Sequence, residues 1–159
     1  MYTPIPYRYD QYEFAIPLDK AHGCFHALFD MMDRNITNRG DFLIPFCLRY
    51  VGPGKEGFLA QSHGGARFYL NLDSYYRTYP GGFQSLQTIK DLMRSPTCQA
   101  RMHFGKAGMF DQPGGGWTRE DAAYAEATYG PDAIARFRQV LEAVDPTHKF
   151  GDVDGLLFR

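Results

Sequence analysis

The sequence predicts an α+β fold: a mixed or antiparallel sheet with helices packed on one face, in the order β-α-β-β-α-β followed by two C-terminal helices. Short runs in which apolar residues alternate with period two point to strands, and longer runs with apolar residues at helical spacing point to helices. Turns rich in Gly and Pro separate the two kinds. The length of 159 residues suits one domain, able to bury roughly 70% of its unfolded surface. No internal repeat, linker or low-complexity tract divides it.

Tyr12, Phe14 and Ile16 alternate with Gln11, Glu13 and Ala15, so the first element is a half-buried strand closed by Pro17, which has no ladder donor. Asp19 is placed to cap a helix in which Ala21, Cys24, Phe25, Leu28, Phe29 and Met32 recur at helical spacing as far as Asn35. A turn over 38–41 leads to a long strand from Phe42 to Val51, rich in β-formers. Gly52-Pro-Gly54 turns the chain toward 57–61, and Arg67 to Leu72 forms the next strand. Phe83–Met93 reads as the second helix and Cys98–Phe104 as the last strand. After a Gly-rich loop at 111–116, Arg119–Tyr129 and Pro131–Val144 read as two helices parted by Gly130.

Composition narrows the function. A net charge of −1 with scattered Lys and Arg gives no stripe for nucleic-acid phosphates. No apolar run reaches the ~18–20 residues that span a bilayer, and the start is unlike a signal peptide, so an intracellular chain is expected, soluble or peripherally membrane-associated. Three cysteines, Cys24, Cys47 and Cys98, lack C-x-x-C spacing, so neither a disulfide framework nor a zinc site is expected and a reducing compartment is the default. Aromatic residues make up 16% of the chain, enough for broad sheet faces or a lined pocket.

The segment Arg101-Met-His-Phe-Gly-Lys106, followed by Asp145-Pro146 and Phe150, resembles the Arg-Pro-His-Trp-Gly/Ala-Lys … Asp-Pro-x-x-x-Phe signature of the aldonolactone oxidases. These are FAD-dependent members of the vanillyl-alcohol oxidase superfamily, among them the D-arabinono-1,4-lactone and L-gulonolactone oxidases. The likeness extends along the chain. Glu13-Phe-Ala-Ile-Pro17 resembles the Glu-Tyr-x-Leu-Pro that opens the family's substrate-side domain, and Ile44-Pro-Phe-Cys-Leu-Arg-Tyr50 resembles its Phe-Pro-Val-Glu-Val-Arg-Phe strand. Tyr69-Leu-Asn-Leu72 is similar to the Tyr-Met/Leu-Asn-Ile strand of the gulonolactone branch, and Tyr129 and Phe137 match the tail. The resemblance implies oxidation of the CH–OH group of a sugar lactone or polyol by FAD, this chain being the C-terminal substrate-binding domain over 1–159, with the N-terminal FAD-binding half absent. A fragment, a partner of a separate flavin-binding domain, and a non-catalytic relic that binds a ligand or a protein all remain open.

The same resemblance supplies expectations for single residues. Hydride removal from a CH–OH carbon needs a positive group beside the developing alkoxide and polar groups that orient the sugar. Arg49, always charged, is expected to be catalytic in that way. Lys106 falls at the substrate or flavin edge, with Gly105 letting the backbone come close, and His103 falls beside the flavin. Tyr69 and Asn71 alternate in phase on their strand and so can face one substrate pocket. Cys47 is the departure, standing where the family carries a glutamate, and a neutral thiol neither accepts a proton nor orients the arginine well. Its plainest expectation is a small buried hydrophobe. An apolar face for docking a flavin domain is expected around Phe104, Met109, Phe110 and Trp117.

Other constellations carry less. His22 and His26 have the i, i+4 spacing of metal ligands, but no third ligand accompanies them, so no metal is expected. Gly114-Gly-Gly116 follows no strand and lacks the Lys-Ser/Thr of a phosphate loop. Ser62 and His63 are neighbours in sequence, which is no evidence for a nucleophilic triad.

Overall fold

The computed structural model of the protein describes residues 10–35, 47–54, 57–74, 82–104, 106, 119–147 and 149. Within them run β1 (Asp10–Pro17), α1 (Ala21–Asn35), β2 (Cys47–Val51), β3 (Arg67–Ser74), α2 (Gly82–Arg94), β4 (Arg101–Met102), α3 (Arg119–Tyr129) and α4 (Pro131–Val144). This is the expected element order. The four strands form one sheet in the order β2-β3-β1-β4, antiparallel at every pairing, so the fold is α+β.

Strand alternation divides the sheet into two chemically different faces. On the first, Tyr12, Phe14 and Ile16 of β1 join Leu70 and Leu72 of β3 and Met102 of β4 beneath α1 and α2. The helices contribute Ala21, Cys24 and Leu28 from one side and Leu86, Ile89 and Met93 from the other, all buried. Fully burying a side chain such as Phe14 or Leu70 stabilises by about 1.5–3 kcal/mol, and among the described residues most of the buried apolar side chains belong to this cluster.

A disulfide joins Cys24 of α1 to Cys98, just beyond α2, across 74 residues of sequence. This overturns the expectation drawn from cysteine spacing. Local spacing reveals only local pairs, whereas packing of α1 against α2 brings these two together inside the core. The argument for a reducing compartment loses its premise. Cys47 also departs from expectation: it is a free thiol and exposed.

The second face is also covered in part, by the trailing helices. Ala15 pairs with Arg101 across β1 and β4, and the Arg101 side chain reaches the Thr128 carbonyl of α3 with Nε at 3.0 Å and Nη2 at 2.8 Å. The helices therefore occupy both sides of the sheet, α1 and α2 on the apolar face and the end of α3 on the other. A second small core, Ala125, Tyr129, Ala133 and Ile134, knits α3 to α4 against Phe58 and Leu59. Gly130 makes the break between those helices at φ 90°, where a side chain would be strained although space is open around it.

The segment after Val51 forms turns rather than a strand, tied by a parallel bridge between Gly54 and His63. Phe104 does not belong to an exposed patch; it is half-buried and packs against both cores. Met109, Phe110 and Trp117, the rest of the expected apolar face, lie outside the described residues, as do the turn at 38–41 and residues 42–46 of the second expected strand. Among the described residues, no helix is long and apolar enough to cross a membrane.

Candidate functional site

Register places the expected site residues in two rows across the second face. Cys47 of β2, Asn71 of β3 and Glu13 of β1 stand opposite one another in one row, and Arg49, Tyr69, Ala15 and Arg101 make the next. Directly paired residues of antiparallel strands point to the same side, so Cys47, Arg49, Tyr69 and Asn71 share one face: spacing predicts each pair within its strand, and the register joins the two pairs. His103 continues the first row: its backbone N–H donates to the Glu13 carbonyl at 3.0 Å. Lys106 reaches the same face from the loop beyond β4, its ammonium donating to the Gln11 side-chain oxygen, and Gln11 lies in phase with Glu13. Arg49 and Lys106 thus come to one side of the sheet.

Glu13 opens one of the family-like motifs, yet motif reading gave it no role in the site. It is 5% exposed, in mid-strand, and its Oε2 accepts Arg49 Nη2 at 2.7 Å. The two residues stand on strands separated by β3, ~9–10 Å apart in backbone, a gap that extended Arg and Glu side chains bridge together. Gln61 completes the cradle. With its amide oriented to satisfy both neighbours, Gln61 donates to Glu13 Oε1 at 3.0 Å and accepts from the His103 N–H at 3.2 Å. A carboxylate with a bond to each oxygen is fixed in place, and it fixes Arg49 in turn.

Tyr69 holds Arg49 from below, the guanidinium carbon lying 5.8 Å from the ring centroid. About half of the Arg49 side chain remains exposed, so the charge is anchored at one end and open to a ligand at the other. Asn71 Oδ1 is buried with no hydrogen-bond partner among the described residues, an acceptor on the same face. Arg49 and Lys106 bring positive charge there, while the Glu13 carboxylate is committed to Arg49. Such an array can hold a neutral polyhydroxylated ring and stabilise negative charge developing on one of its oxygens. The signal for Glu13 was present in the sequence as a lone carboxylate between Tyr12 and Phe14, but its partner is 36 residues away.

No curated protein and no solved structure matches the chain. The family model described as D-arabinono-1,4-lactone oxidase matches residues 1–153, and the chain belongs to that family.

Proposed function

We propose that this chain forms the substrate side of an FAD-dependent oxidase acting on the CH–OH group of a sugar-1,4-lactone of the D-arabinono-1,4-lactone kind. The observation that supports it most is Arg49, anchored by a buried Glu13 on the face that also carries Tyr69, Asn71 and Lys106. FAD, when bound, would supply the hydride acceptor. The residues of this face fit such a group: Arg49 and Lys106 are cations that would suit a ring gaining negative charge, and His103, beside Glu13 on the same face, would be available to contact it. The flavin's phosphates and adenine need a different kind of site, held by residues beyond those of this face.

Tyr69 and Asn71 orient the lactone hydroxyls, Asn71 through its side-chain carbonyl oxygen, which has no partner among the described residues. As the carbon loses hydride, the hydroxyl sheds its proton to water at the open face, and Arg49 stabilises the negative charge on that oxygen. Glu13 is a positioning residue. It holds the Arg49 guanidinium through its own carboxylate, so that Arg49 keeps an anchor although position 47 carries a thiol. The exposed Cys47 thiol beside Asn71 favours a second reading, a sugar-binding domain without turnover.

Steady-state oxidation of D-arabinono-1,4-lactone, with a flavin-binding half supplied, separates the two. Arg49→Ala is expected to lower the rate by about 10²–10³, the usual effect of losing one such stabilising group, and Cys47→Ala to lower it far less. Equal rates for wild type and Arg49→Ala would remove Arg49 from the chemistry and leave the binding domain.

A further inference from the structure

Residues 57–65 run as turns, yet they are tied down at many points. The Gly54 N–H donates to the Ser62 carbonyl at 3.0 Å, the His63 N–H to the Ala60 carbonyl at 2.8 Å and the Gly65 N–H to the Ser62 carbonyl at 3.2 Å. Phe58 and Leu59 pack on the small core of α3 and α4. From β4 the buried Arg101 side chain donates through Nη1 to the Gln61 carbonyl at 3.1 Å and the His63 carbonyl at 2.6 Å. Its Nε and Nη2 hold the Thr128 carbonyl of α3. A planar guanidinium fixes several carbonyls in one geometry, which a lysine ammonium does not reproduce.

The side chain presented by this clamp is Gln61, 7% exposed. Its amide donates to Glu13 Oε1 at 3.0 Å and accepts from the His103 N–H at 3.2 Å. An amide does both without charge, whereas a carboxylate there has no donor and an ammonium no acceptor. The Arg49–Glu13 pair needs such help. With about half of the Arg49 side chain exposed, an ion pair alone contributes little order, so the geometry must come from the buried end.

We propose that Gln61 is a positioning residue of the oxidase site, held in place by Arg101 and acting on Arg49 through Glu13. The inference rests on the reading of Arg49 as the group that stabilises charge on the substrate oxygen. Arg49 takes one oxygen of the Glu13 carboxylate, and the bond from Gln61 to the other stops that carboxylate from swinging. The same amide ties the His103 backbone, so the segment leading to Lys106 is registered to the same point.

NMR of the full chain reads the Arg49 guanidinium without flavin or lactone, its signals assigned by their loss in Arg49→Lys. Gln61→Met keeps the size and removes the amide; Nη rotation at Arg49 is expected to quicken by about tenfold, as for one lost charge-assisted hydrogen bond, with urea unfolding confirming the fold. Gln61→Glu adds a signature that packing alone does not give. The introduced carboxyl, when neutral, donates to Glu13 and accepts from His103 as the amide does; ionised, it has no donor and repels Glu13. Arg49 order in this variant is expected to match wild type at acid pH and to fall as pH rises. That step should be absent from the wild-type and Gln61→Met curves, which keep the same Glu13, His63, Arg101 and His103 around the position. Arg101→Lys is expected to loosen Arg49 by itself and to add little in the Gln61→Met background, since both act through one bond.

With a flavin-binding half and lactone supplied, Gln61→Met is expected to lower kcat by about tenfold and to change KM less. Unchanged Arg49 rotation in a folded Gln61→Met, a Gln61→Glu curve parallel to wild type, full additivity with Arg101→Lys, or an unchanged kcat would each overturn the positioning role. The NMR readouts involve no turnover, so their failure leaves the oxidase reading standing. Failure of that reading shows separately, as wild-type turnover by Arg49→Ala.

Discussion

The two faces of the sheet are made by alternate residues of the same strands, and they differ in kind rather than in degree. Phe14 and Ile16 point into a sealed apolar core; Glu13 and Ala15, their neighbours in β1, are also buried, yet what surrounds them is charged. On the second face Glu13, Arg49, Arg67 and Arg101 meet tyrosines, carbonyls and one another. Burying charge costs stability unless each group is held, and apolar residues of similar size would fill the same space with less to satisfy. The first face holds the fold together, and the second bears the cost of buried charge.

Adjacent residues of β1 offer the sharpest test of that contrast. Phe14→Ala is expected to cost about 3–5 kcal/mol, the usual loss for a large buried aromatic, whereas Glu13→Gln keeps the shape and is expected to cost about 1 kcal/mol. Urea unfolding of the two variants checks it. Comparable losses would mean that the charged face is as structural as the apolar one.

The disulfide belongs wholly to the first face, so opening it tests that side alone. Cys24→Ala with Cys98→Ala is expected to lower stability by about 2–4 kcal/mol while leaving the Arg49–Glu13 arrangement in place. Melting curves with and without reductant, for wild type and the double variant, measure it; a reductant effect that persists in the double variant would point to another cause.

A smaller effect comes from the charged face at alkaline pH. Burial raises the Tyr124 phenol to about 12 and the Tyr129 phenol further. The folded state therefore keeps protons that the unfolded chain releases near the ordinary phenol value of about 10. Their contribution is intact below about 10 and is lost as pH climbs toward the folded values. Arg101, lowered to about 10 by burial, acts in the opposite direction, because the cost of burying its charge is relieved above that pH. Tyr124→Phe isolates the phenol: its denaturation midpoint is expected to fall less steeply above pH ~10 than that of wild type. Parallel curves for the two proteins would exclude Tyr124 as a source.

Much of this molecule was legible before any coordinates. The bounds of α3 and α4 coincide with those read from apolar spacing and from Gly130, because local helix signals are contained within a few residues. That Tyr69 and Asn71 share a face followed from the two-residue period, and that Arg49 joins them was expected from the family's order of strands; the register of β2 against β3 places it there. The last strand shrank from the expected span of Cys98–Phe104 to Arg101–Met102; Gln99, at φ 47°, cannot extend the ladder backward.

The sequence by itself determined the element order, the family and which residues of each strand share a face, since each depends on nearest neighbours or on a motif. Only the tertiary structure decided that Glu13 grips Arg49 across an intervening strand, that Cys24 meets Cys98, and that Arg94 pairs with the buried Asp121. Those pairings join residues dozens of positions apart. They depend on strand order and on how helices settle against a sheet, and no local pattern encodes that geometry.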